Sequence, residues 1–167
     1  ELADGSFALA FDQSLVEGTA ADLLERVQSQ AGTTMLPGWE PERLADIEAL
    51  FAAYADVDEA RLAANFEYFI KAIMPVCKEV DVRMAVHPDD PPWPIFGLPR
   101  IVKNAADLRR IEAFHDSPYN GFTLCTGSLG ENPDNDVPAI IREFVGRGKA
   151  PFVHARNIRH TAPGRFH

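Results

Sequence analysis

His87, Cys125 and His154 are the residues of this sequence whose types best suit a divalent transition metal. Two imidazoles and a thiolate supply the nitrogen and sulfur donors that such ions prefer. His87 and Cys125 are 38 residues apart, Cys125 and His154 are 29 apart. Either interval fits one βα unit, which runs to about 30 residues or more. No C-x2-C or H-x3-H spacing occurs, so a structural zinc site is not expected. Three protein ligands leave a position open for water or substrate, as a catalytic ion requires. Taken singly, a strand cysteine is more often a buried small hydrophobe, and a lone histidine a hydrogen-bonded one. The metal reading rests on their coincidence at three successive strand ends.

Those ends follow from the hydrophobic pattern. Val82–His87, Gly121–Cys125 and Pro151–His154 read as strands. Between them, Asn104 caps a helix bearing Leu108, Ile111 and Phe114. Asp136 caps another, bearing Ile140, Ile141, Phe144 and Val145 and broken by Gly146 and Gly148. Strand, helix, strand, helix, strand is the signature of a parallel α/β sheet. Right-handed crossovers point such strands the same way, so their C-terminal ends line one rim, where barrels and open sheets bind ligands. Alternation puts Val82, Met84 and Val86 on one face, with Phe122 and Leu124 on the matching face of the next strand and Val153 on that of the third. His87, Cys125 and His154 fall on the other.

Upstream, Phe7–Phe11 reads as a strand closed by Asp12. Thr19 and Asp22 start a helix carrying Leu23, Leu24 and Val27, which Gly32 ends, and 33–40 read as a loop. Pro41 opens a helix with Leu44, Ile47, Leu50, Phe51 and Tyr54. Asp58 opens another, with Leu62, Phe66, Phe69, Ile70 and Ile73 on one stripe, the spacing of core packing.

Residues near the three candidates suit a small anion. Arg156 shares parity with His154, and its guanidinium either grips a carboxylate bidentately or forms a structural salt bridge. Gly127-Ser128-Leu129-Gly130 reads as a loop that cradles an anion or simply turns the chain. Asp89 and Asp90, in a proline-rich loop, orient an imidazole, bind substrate or form turns. His160 and His167 read as loop residues, and His115 as the complement of a helix C-terminus.

Composition excludes several classes. Sixteen Lys and Arg against 25 Asp and Glu give the 167 residues a net charge of −9, which argues against a sequence-independent nucleic-acid binder. No apolar run approaches the roughly 20 residues that span a bilayer, and the first residues lack a secretory pattern, so a cytoplasmic protein is expected. Two cysteines make no disulfide framework and fit a reducing compartment.

Four motifs fall in order: His87-Pro88-Asp89-Asp90-Pro91-Pro92, Phe96-Gly97-Leu98-Pro99-Arg100-Ile101, Asn120–Ser128 and Val153-His154-Ala155-Arg156-Asn157. Over about Ala85–His167 the sequence resembles the bacterial mannonate dehydratase family of glucuronate catabolism, and more loosely over the helices before it. The resemblance implies a TIM barrel of the xylose-isomerase-like group, and Mn²⁺ or Fe²⁺ held by two His, one Cys and an Asp. His87, Cys125 and His154 match the first three. It implies dehydration of a sugar acid, D-mannonate, to 2-dehydro-3-deoxy-D-gluconate. Arg156, Asn157, Ser128 and Asp89 would bind substrate, and His160 or a residue beyond His167 would act as general acid. A homo-oligomer is expected. A whole barrel takes about 200–250 residues or more, so 1–167 are expected to be one domain, an incomplete α/β parallel (β/α) barrel, and a piece of a longer chain. Its open sheet edges would need further chain or a partner subunit for stability. A sugar isomerase of the same group would show clustered carboxylate ligands where this sequence offers His and Cys. The net charge counts against a metal-dependent endonuclease. A non-catalytic sugar-acid or metal-binding protein is the alternative of another class.

Overall fold

A computed structural model describes residues 5, 10–15, 22, 25 and 44–167. Thr19, Leu23, Leu24, Val27, Gly32, the 33–40 loop, Pro41 and most of the Phe7–Phe11 strand lie outside the described residues. Asp22 and Glu25 are helical, in keeping with the helix read there. Only the end of the first strand is seen, as β1 (Phe11–Asp12).

The architecture is α/β. Helices α1 (Leu44–Tyr54) and α2 (Glu59–Glu79) lead into β2 (Met84–Val86). Then come α3 (Ala105–Phe114), β3 (Asn120–Cys125), α4 (Thr126–Glu131), α5 (Val137–Gly146) and β4 (Phe152–His154). Strands β2, β3 and β4 form a parallel sheet in sequence order. Met84 pairs with Asn120 and Cys125 with His154.

Helix starts follow the expected chemistry. The carboxylate or amide oxygens of Asp58, Asn104 and Asp136 accept from the N–H groups of Arg61, Asp107 and Ala139, at 2.7, 3.0 and 2.9 Å. Strand alternation sends Phe122 and Leu124 into a core with Ile101, Val102, Leu108, Ile111, Leu129, Ile140 and Phe144. Phe122 meets Phe144 edge-on, with ring centres 5.2 Å apart. Ile70, Met74 and Cys77 of α2 form a second cluster with Met84 and Val86. The periodicity that reads as core packing in α2 is therefore used that way at Ile70, whereas Phe69 is 45% exposed.

Asn120 opens β3 fully buried and closes α3. Its Nδ2 donates to the carbonyls of Ile111 (3.0 Å) and His115 (3.1 Å), which lack helical partners at that terminus. Asn120→Ala should strand both carbonyls and lower stability by on the order of 2 kcal/mol. A urea midpoint equal to wild type would contradict this.

Two segments differ from the sequence reading. Residues 127–130 are helical within α4, not a loop. The signal is weak because the segment is six residues long, contains two glycines and is capped by a cysteine sulfur in place of an oxygen. His160 is likewise not in a loop: it opens β5 (His160–Ala162), which turns at Gly164 (φ 69°) into β6 (Arg165–Phe166). Strands β1, β6 and β5 make a small antiparallel sheet, pairing Phe11 with Phe166 and Asp12 with Arg165. Strands this short carry no readable alternation, and the partner lies at the other end of the sequence. Trp93 of the proline-rich loop packs on this sheet, 5.7 Å from Phe11 and 6.2 Å from Phe166 by ring centres.

Candidate metal centre

His87 lies one residue beyond β2, and Cys125 and His154 end β3 and β4. The parallel register places Cys125 directly beside His154, with Sγ 3.5 Å from Nδ1. The imidazoles of His87 and His154 are 5.9 Å apart by ring centres. One ligand atom from each of the three lies within 4.8 Å of the others. Cys125 is buried, while both histidines are exposed, so the cluster has a protein side and an open side. Nδ1 of His87 lies 2.7 Å from the Pro88 carbonyl. A carbonyl can only accept, so Nδ1 carries the proton and Nε2 keeps its lone pair, the tautomer of an imidazole ready to ligate. The N–H and hydroxyl of Ser128 reach Cys125 Sγ at 3.4 and 3.2 Å. They orient the sulfur and complement negative charge there. In donor type, number and convergence, the residues present fit a divalent transition metal with an open position.

Beside the cluster is a group of charged residues. Arg156 Nη1 donates to Asp90 Oδ2 at 2.6 Å, and Nη2 donates to Glu131 Oε1. The Ser128 hydroxyl is also 3.1 Å from Asp90 Oδ2. Thr126 Oγ1 grips the Arg156 backbone at both ends, donating to its carbonyl (2.6 Å) and accepting from its N–H (2.9 Å). The Glu131 side chain is wholly buried. Burial pushes its carboxyl up to about 8, helped by the neighbouring Asp90 carboxylate and opposed by Arg156. Burial works to lower Arg156, yet the bond and charge of Asp90, with the Glu131 charge, hold it above its ordinary value.

The residues read as substrate contacts divide. Arg156 stands beside the cluster with its side chain 37% exposed. Asn157 is exposed, and Ser128 is buried with its hydroxyl turned to Cys125 and Asp90. The Asp89 carboxylate is taken up by the N–H groups of Ile101 (2.7 Å) and Val102 (2.8 Å), where it fixes the proline-rich loop; Asp90, its neighbour, meets Arg156 instead. His160 Nε2 is 2.8 Å from the Gly130 carbonyl and donates to it, which leaves Nδ1 as the ring nitrogen outside that bond. The sequence alone gives no role to Glu131 or to Thr126, which enters only as part of the Asn120–Ser128 motif. Nothing in a lone acid after a Gly-rich stretch foretells burial against an arginine 25 residues later.

Over residues 1–167 the sequence matches the family described as D-mannonate dehydratase (UxuA). The chain belongs to the D-mannonate dehydratase family. It is 52% identical over 164 residues to the mannonate dehydratase of Lactococcus lactis subsp. lactis, covering 98% of this chain and 46% of that protein. It is 48% identical over 168 residues to that of Thermotoga neapolitana, covering 100% and 47%. The crystal structure of mannonate dehydratase from Streptococcus suis serotype 2 superposes with a TM-score of 0.77 at 37% identity, over 99% of this chain and 41% of that one. The chain thus spans about half the length of the D-mannonate dehydratases it matches. Among the described residues, no helix is long and apolar enough to cross a membrane.

Proposed function

We propose that the protein is a metal-dependent hydro-lyase that converts D-mannonate to 2-dehydro-3-deoxy-D-gluconate, with Mn²⁺ or Fe²⁺ held by His87, Cys125 and His154. The observation that carries this reading is the convergence of those three side chains at adjacent strand ends, in a chain of this family. Bound there, the ion would supply a Lewis acid for the negative charge that develops as a general base takes the proton α to the carboxylate. The protein's own residues do the rest. Arg156, its side chain 37% exposed, meets the substrate carboxylate. His87 keeps Nε2 free to ligate through the bond from Nδ1–H to the Pro88 carbonyl. His160, with Nε2–H given to the Gly130 carbonyl, carries a proton at Nδ1 to the departing C3 hydroxyl. Asn157, exposed beyond β4, borders the sugar.

On this reading β2–β4 are three strands of one (β/α) TIM-type domain. Further strands and helices would cover the exposed side chains of Phe152 and Val153, which point to opposite faces of β4. A soluble cytoplasmic homo-oligomer is in keeping with an acidic chain of this kind.

The test is metal analysis of the full-length protein followed by dehydration assays on a panel of aldonic acids. Stoichiometric metal and turnover of D-mannonate are expected. Metal binding with no turnover of any aldonic acid would favour a binding protein, and aldose–ketose interconversion would favour an isomerase. Arg156→Lys keeps the charge and loses the planar fork, so KM should rise about tenfold while metal stays bound. Loss of metal in that variant would contradict the role given to Arg156.

A further inference from the structure

Glu131 ends α4 in the run Gly130-Glu131-Asn132-Pro133-Asp134, whose composition suits a solvent-facing turn. Its side chain is nevertheless fully buried. Arg156 engages Oε1, whereas Oε2 has no hydrogen-bond donor among the described residues. Asp90 brings a second carboxyl to the same guanidinium. As a stabilising device this is poor, since a buried polar contact to a charge is commonly matched or bettered by apolar residues of the same volume. What it achieves is placement.

Arg156 is held along its whole length. Thr126 fixes its backbone, Asp90 and Glu131 take the two ends of its fork, and its guanidinium lies over Gly127. That approach needs a glycine: a Cβ at 127 would lie 2.8 Å from Arg156 Cζ and closer still to Nε. The first, second and last residues of α4 therefore all bear on one arginine, which comes from the segment after β4. Asp90 ties in the loop after β2, and through Ser128 the chain of contacts reaches the Cys125 sulfur.

We infer that Glu131 is a positioning residue, which holds the Arg156 guanidinium over Gly127 and within reach of Asp90, so that the segments after β2, β3 and β4 keep one arrangement around His87, Cys125 and His154. The inference rests on the reading of this place as a sugar-acid site, where Arg156 meets the substrate carboxylate. Glu131 acts there without touching substrate, through the arginine alone.

The test uses the full-length protein loaded with Mn²⁺. Glu131→Leu keeps the volume and removes the acceptor. KM for D-mannonate should rise about tenfold, with kcat changed less than about threefold. Metal content should equal wild type. Peptides spanning 87–92 and 155–158 should exchange their amide hydrogens faster. Glu131→Gln retains an acceptor for Nη2 and should recover most of the lost affinity. In an Arg156→Gln background, Glu131→Leu should add nothing, because the two act as one unit. Gly127→Ala displaces the guanidinium with Glu131 intact and should reproduce both the KM rise and the faster exchange. It also decides the matter if Glu131→Leu does not fold. Wild-type KM and exchange in Glu131→Leu or Gly127→Ala, or additive effects in the double variant, would overturn the inference. A wild-type protein that binds metal but dehydrates no aldonic acid would overturn the proposed function instead, and amide exchange would still decide the role of Glu131.

Discussion

Cys125→Ser should cost the full-length protein its metal and its activity together. The sulfur is the buried member of the cluster, oriented by the Ser128 N–H and hydroxyl and 3.5 Å from His154 Nδ1. Serine keeps the shape but offers a neutral hydroxyl, a far poorer ligand than a thiolate at neutral pH. Loss of an outer partner of a ligand typically weakens metal binding about 10- to 100-fold, so loss of the ligand itself should cost about a hundredfold or more. The two exposed histidines remain, so excess Mn²⁺ should restore part of both metal content and turnover. Metal analysis and steady-state kinetics on the same preparations read the outcome. A variant that retains full metal yet is inactive would point to covalent chemistry at Cys125 and end the mechanism as drawn.

The second large effect is a dependence of stability on pH that passes through one carboxyl. Glu131 has an ordinary value of 4.5 and is pushed up to about 8 in the folded protein, by burial first and by Asp90 second. The folded state therefore keeps a proton that the unfolded state has released. Stability from this group is fully present below about pH 4.5 and is lost as pH rises through about 8. Glu131→Gln removes the titration. Its stability relative to wild type should climb between pH 5 and 8, about one proton's linkage across that window, and level off above it. Urea midpoints at intervals from pH 5 to 9 measure the gap. Parallel curves for the two proteins would show that Glu131 does not titrate there.

The sequence makes the strand ends legible for a simple reason. Alternation has a period of two, and Met84, Val86, Phe122 and Leu124 occupy every second position, so the face opposite them belongs to His87 and Cys125. The caps at Asp58, Asn104 and Asp136 are equally local and equally readable. What could not be read depends on distant partners. The strand at His160 exists because Phe166 pairs with it and, in turn, with Phe11. Asp89 and Asp90 are adjacent and alike, yet one is consumed by the backbone of Ile101 and Val102 and the other by Arg156. Glu131 gains its meaning only when the segment after β4 lays an arginine across Gly127. The match over the whole chain agrees with the family resemblance, which four short motifs carried.

The pairing of Cys125 with His154 also bears on how the chain folds. Strand β4 joins the sheet through three residue pairs, and its side chains are exposed. An ion shared by Cys125 and His154 would act as a cross-link closing a loop of 29 residues, and His87 would extend the closure back across two strands. Such a clasp restricts the unfolded chain by an amount that grows only slowly with loop length, so its benefit would be substantial even for so short a strand. Strand β4 would then owe part of its hold on β3 to the same ion that would serve the chemistry, and chelation would loosen β4 before it disturbed the Phe122–Phe144 core.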